Sequence, residues 1–257
     1  MAVNVLPPLL KRNQPHLDQS DHMQVAATRS LLLGTSYLAL SELSGCKPKL
    51  TMCSAGVIGL STANCLIQAG FKVTIIAKDF PGPFELIGPD KISYTSPWAG
   101  AHNRFIPPTN GQEAQEHTFA LKTFHHMAKL VGEGRHREAG LTFMKGIEYL
   151  ENPPQQYLNL NREKAEELGY RDFGLLPDDK LPDGVKWGCE YLTWCVNPMM
   201  YCCFLLRQFV RLGGSVVNGV IHHPTKLFDQ DQFSSASVVI NCSGFGFNDQ
   251  AVVPTRG

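Results

Sequence analysis

The segment Leu50–Ala77 constrains the fold of this chain more than any other, because it joins two strand signals through a glycine turn and a helix. Leu50–Cys53 reads as a short strand, followed by the small-residue turn Ser54-Ala55-Gly56-Val57-Ile58-Gly59. "LSTANCLIQAG" then carries apolar residues at helical spacing, with Leu60, Ala63, Leu66 and Ile67 on one face and Gly70 as the stop. "FKVTIIA" follows as an unbroken apolar strand that ends at Ala77-Lys78-Asp79. Strand, turn, helix and strand in this order make a βαβ unit, and a parallel sheet covered on both faces needs such continuous apolar strands.

The turn fits the dinucleotide fingerprint G-x-G-x-x-G at its second and third glycines only. Gly56 would let the backbone approach a pyrophosphate, and Gly59 would let helix pack on strand. Ser54 stands in the first glycine's place, where an unfavourable backbone angle costs about 1–3 kcal/mol. Amides near Val57 and Ile58, at the helix N-terminus, still point at a phosphate, so binding is expected to be weakened rather than lost.

Asp79 lies about 20 residues after Gly59, where an acid accepts ribose hydroxyls, with Lys78 as a charge near the adenosine. A solvated turn acid beside Pro81-Gly82 is the plainer alternative. In "YTSPWAGAH", the small residues Ser96, Ala99, Gly100 and Ala101 surround one tryptophan and could floor a flat ring, or equally make a tight loop. "VVINCSGFG" reads as a buried strand that ends in Cys242-Ser243-Gly244, small residues where backbone nears a ligand.

The remaining sequence divides by texture. Residues 1–48 are a poorly patterned extension, of which 1–46 are expected to be dispensable, and 49–109 the first part of a nucleotide-binding domain. Residues 110–196 read as an inserted, β-rich second domain, opening on a helix with Phe119, Phe124, Met127 and Leu130 among its apolar positions. Residues 197–257 return to α/β pattern: Asn197-Pro198 caps a helix, then come Gly213-Gly214 and two strands.

With 23 basic and 23 acidic residues the formal net charge is zero, so neither a nucleic-acid nor a membrane-surface footprint is expected. The eight cysteines form no CxxC pair, which favours a reducing, intracellular setting. His125–His126 and His222–His223 have no acidic or thiol partners at ligand spacing, so no metal is expected. Walker A, G-x-S-x-G and HExxH motifs are absent from the sequence.

Several ordered blocks carry a family resemblance. "SAGVIGLSTANCLIQAGFKVTIIAKDFPG", "YTSPWAGAH", "AGLTFMKGIEYLE", "GYRDF", "LPDGVKWGCEYLTWCVNPMMYCCFLLRQFVRLGG" and "VVINCSGFGFNDQAVVPTRG" together resemble the FAD-dependent D-amino-acid oxidases, the fungal kind most closely. The resemblance implies an α/β fold in which a Rossmann-like FAD-binding domain carries an inserted, mixed β-rich substrate domain. It implies oxidation of a D-amino acid to an imino acid, with hydride transfer from the substrate Cα to the flavin and electrons passing to oxygen as hydrogen peroxide.

By resemblance, Ala55, Gly56, Val57, Ile58 and Gly59 match the pyrophosphate turn, and Lys78 and Asp79 the adenosine-ribose corner. Ser96, Ala99, Gly100 and Ala101 match the loop beside the flavin, Ile221 the adenine contact, and Cys242, Ser243 and Gly244 the later cofactor contact.

Two departures stand out: Ser54 where the family has glycine, and an end at "VVPTRG" where the family runs on into further strands and a final helix. Those hold the arginine that grips the substrate carboxylate, so no catalytic residue is assigned and the 257-residue chain is expected to be inactive. Arg104 and Arg256 are the carboxylate-holding candidates if it is active. Localisation is expected in cytoplasm or peroxisome, without a C-terminal peroxisomal signal in this chain. The rival reading is a non-catalytic nucleotide- or partner-binding remnant of the fold. An NAD-dependent dehydrogenase is disfavoured because it leaves the SPWAGAH loop and the NCSG strand end unexplained.

Overall fold

The computed structural model describes residues 4–6, 49–83, 85, 88, 91, 94–100, 102–229, 233 and 236–243. In chain order the strands are β1 (Asn4–Leu6), β2 (Lys49–Cys53), β3 (Lys72–Ala77), β4 (Leu141–Leu150), β5 (Arg171–Leu175), β6 (Trp187–Val196), β7 (Ser215–Asn218) and β8 (Val238–Asn241). The longer helices are α1 (Val57–Gln68), α2 (Gly111–Gly132) and α3 (Pro198–Arg211), joined by single-turn helices. The chain divides into two compact units, residues 1–98 with 202–257, and residues 99–201.

The first unit is built on a five-stranded sheet of order β1-β8-β2-β3-β7. β2, β3, β7 and β8 run parallel, in a register that pairs Cys53 with both Ile76 and Asn241 and Ala77 with Asn218. That alignment brings the carboxyl ends of four strands to one edge. β8 is buried at every position, and β2 at every position after Lys49, as strands covered on both faces must be.

α1 covers the sheet with Leu60, Ala63 and Leu66, all essentially inaccessible to water. Ile67, expected on that face, is only half-buried. Asn64 is buried instead, its amide donating to the Leu60 carbonyl at 2.8 Å and the Leu205 carbonyl at 2.9 Å. Gly70 ends the helix at φ +86°, a left-handed conformation that costs glycine nothing.

β1 was not legible in the sequence. It lies antiparallel on the outer edge of β8, with Val5 opposite Ile240. Part of the N-terminal extension therefore has a place in the sheet.

The second unit is a three-stranded antiparallel sheet of order β4-β6-β5, in which Leu141 to Leu150 pair with Val196 back to Trp187. α2 begins at a reciprocal cap: the Asn110 side chain accepts the Glu113 amide at 3.0 Å, and the Glu113 carboxylate accepts the Thr109 amide and hydroxyl at 2.7 Å each. Phe124, Met127 and Leu130 face the core as expected, whereas Phe119 is half-buried and His117 takes a core position. A ring nitrogen of His117 lies 2.7 Å from the Leu168 carbonyl, which satisfies part of that buried side chain. Phe105 fills the centre, against the rings of His117, Phe124, Tyr170 and Tyr191.

Candidate functional site

The carboxyl edge of the parallel sheet opens on a cavity of about 270 Å³. Its wall includes Cys53 at the end of β2 with Ser54 and Ala55 after it, Ala77 at the end of β3 with Lys78 and Asp79 after it, Ile221 beyond β7, and Ser243 beyond β8. Ligands of open α/β sheets bind at the carboxyl ends of the strands, because loops diverge there and helix N-termini point inward.

The turn at Ser54–Gly59 is tightly determined. Ser54 has φ +125°, a region that favours glycine, and its amide is held by the Ile76 carbonyl at 3.1 Å. A Cβ on Gly59 would lie 2.2 Å from the Ser54 carbonyl oxygen, so α1 packs on the turn at a distance only glycine allows. Gly56, by contrast, is extended at φ −69° and ψ 172°, and needs no special backbone freedom.

The first amides of α1 already meet oxygen. The Gly56 amide donates to the Ser54 hydroxyl at 3.2 Å, and the Val57 amide donates to the Ser96 hydroxyl at 3.0 Å. Two acceptor oxygens thus stand at the positive end of the helix, where phosphate oxygens are well accommodated. The close approach at Gly59, the amides of Gly56 and Val57 at the helix start and Asp79 in the cavity wall suit a nucleotide diphosphate with a ribose.

Asn218 fixes the far wall, its amide donating to the Lys78 carbonyl at 2.9 Å. Tyr94 braces the near wall by donating to the Ala55 carbonyl at 2.6 Å. Burial, then the neighbouring thiols of Cys202 and Cys203 and the Asp79 carboxylate, raises the Tyr94 phenol above its ordinary value, so it stays a donor. Burial likewise pushes the Cys242 thiol up to about 12, and it raises Cys53 further, with Cys242 adding to the effect. Neither thiol is poised as a nucleophile.

Of the residues expected here, Ala55, Lys78, Asp79, Ile221 and Ser243 line the cavity, while Gly56, Val57 and Ser96 are not among its lining residues and take part in the hydrogen bonds at the start of α1. Ile58 and Gly59 lie in the first turn of α1, and the Cys242 amide donates to the Cys53 carbonyl at 3.2 Å. Ala99 and Gly100 are exposed and belong to the other unit. Ala101, Gly244 and Arg256 lie outside the described residues.

Arg104 is paired: its Nε donates to the Glu148 carboxylate at 2.8 Å, and a terminal nitrogen donates to the Tyr157 hydroxyl at 3.2 Å. Sequence alone did not reveal the bracing by Tyr94 or the hydrogen bond from the Gly56 amide to the Ser54 hydroxyl. A tyrosine inside the quoted YTSPWAGAH block was the available signal for the first.

Among the described residues no helix is long and apolar enough to cross a membrane. No cluster of three or more His, Cys, Asp or Glu side chains suited to a metal ion is present among them.

The profile of the FAD dependent oxidoreductase family (DAO) matches residues 55–257, and the chain belongs to that family, whose cofactor is FAD. It is 34% identical over 214 residues to a D-aspartate oxidase of Talaromyces thermophilus, covering 78% of this chain and 57% of that one. It is 28% identical over 220 residues to a D-amino-acid oxidase of Schizosaccharomyces pombe, covering 82% and 58%. The chain therefore spans well under two thirds of the length of these relatives. Among solved structures, the L-alpha-glycerophosphate oxidase of Mycoplasma pneumoniae with FAD bound is similar at a TM-score of 0.48 and 14% identity, over 66% of this chain and 44% of that one.

Proposed function

We propose that the carboxyl edge of the parallel sheet holds the adenosine diphosphate half of FAD in a D-amino-acid oxidase. The observation that carries this reading is a cavity at the carboxyl ends of the parallel strands that is lined by Ser54 and Ala55, which lead into α1, by Lys78 and Asp79 after β3 and by Ile221 beyond β7. On this reading Ala55 to Gly59 form the pyrophosphate turn, Asp79 and Lys78 take the ribose, and Ile221 lies against the adenine. Cys242 and Ser243 close the cavity from β8.

The first compact unit, 1–98 with 202–257, then serves as the cofactor domain, and the second, 99–201, as the substrate domain. When bound, the flavin supplies the oxidant that accepts hydride from the substrate Cα. The protein supplies position: a rigid turn for the diphosphate and a carboxylate for the sugar. The names of the two relatives support a D-amino acid as substrate, with D-aspartate and D-alanine as the first compounds to try.

Titration of the purified protein with FAD and with FMN tests the site. Asp79→Ala is expected to weaken FAD by tenfold or more, about 1.4 kcal/mol, and to leave FMN unchanged because FMN has no adenosine. Equal loss for both flavins, or no loss for either, overturns the assignment. Peroxide release from D-aspartate or D-alanine then tests the substrate class.

A further inference from the structure

We infer that the Ser54 hydroxyl is a built-in competitor for the cofactor's phosphate, so that this chain trades FAD affinity for stability of its cofactor-free state. The inference rests on the FAD reading of the cavity and adds a role for a side chain at the family's first-glycine position. Ser54 Oγ sits 3.2 Å from the Gly56 amide, while the adjacent Val57 amide is occupied by Ser96 Oγ at 3.0 Å. Both of these donors at the start of α1 are therefore satisfied from within the protein.

An unsatisfied helix N-terminus is costly, and a side-chain oxygen there stabilises the helix. A phosphate oxygen that takes the Gly56 amide has to displace the Ser54 hydroxyl, which then needs water or another partner. The stabilisation of the free protein is lost from the net binding energy, by linkage. Glycine at this position offers no such oxygen, so its amide waits for the ligand. The backbone angle of Ser54 is a separate matter: φ +125° burdens free and bound states alike and largely cancels in binding.

Ser54→Ala separates the two effects, because it keeps the Cβ at the positive φ and removes only the hydroxyl. The expected result is a paired change. The thermal midpoint of the cofactor-free protein falls by a few degrees, while FAD and ADP bind three- to tenfold tighter and riboflavin, which has no phosphate, is unaffected. Ser54→Gly, which also relaxes the backbone, gives the same gain in affinity and keeps the test open if the alanine form does not fold.

Equal or weaker FAD and ADP binding by both variants overturns the competition, and so does a gain shared by riboflavin. Absence of FAD and ADP binding in wild type and variants alike overturns the cofactor reading itself, and the competition with it. Binding by wild type without a gain in the variants overturns the competition alone.

Discussion

Two residues at the turn set what the site tolerates. Gly59 admits no Cβ, since the Ser54 carbonyl oxygen would lie 2.2 Å from it. Gly59→Ala forces α1 off β2 and is expected to destabilise the first unit by about 3 kcal/mol, read as a lowered denaturation midpoint. The thiols add a pH dependence. Burial holds Cys202 and Cys242 near 12 against an ordinary value of 9.0, so the folded chain keeps protons that the unfolded chain releases. Their contribution to stability is complete below about pH 9 and is lost as pH rises from there toward 12. Thermal midpoints taken between pH 8 and pH 10.5 should fall on the alkaline side, and replacing Cys242 with Ala should flatten that fall.

At the scale of elements, α2 and β1 make contrasting cases. α2 is anchored by the Asn110–Glu113 cap, and hydrogen bonds from the Thr109 hydroxyl and then its amide hold the Glu113 carboxyl below its ordinary value. The ionised form is the one the fold favours, so this support is present at neutral pH and disappears as pH falls below the carboxylate range. Asn110→Ala should cost about 1 kcal/mol, seen as a lower denaturant midpoint.

Helices such as α1 and α3 were legible because their apolar periodicity and their stops, Gly70 and Gly213, are local signals. β1 was not, because three residues are too few to show a period and the edge they pair with lies more than two hundred residues away. Removing residues 1–6 is expected to speed amide exchange in 238–241, where β8 loses its outer neighbour. Unchanged exchange would mean that the pairing does not matter in solution.

The architecture follows from the βαβ unit and its return after the inserted sheet, and the fingerprint at Gly56 and Gly59 lies at the sheet edge where the cavity opens. Register lay beyond the sequence: only the folded sheet aligns Cys53, Ala77, Asn218 and Asn241 at that edge. His117 shows the same limit on the other unit. Its burial depends on the Leu168 carbonyl and the Phe105 ring, and helical spacing alone favoured Phe119.

The central claim is that the parallel sheet's carboxyl edge takes the adenosine diphosphate of FAD. Hydrogen exchange of the purified protein with and without FAD addresses it most directly, since it maps contact without requiring turnover. Saturating FAD should slow exchange in 54–59, 78–79 and 219–221, with the same protection from ADP at those positions. Protection confined to residues 141–196, or none at 54–59, would contradict the account.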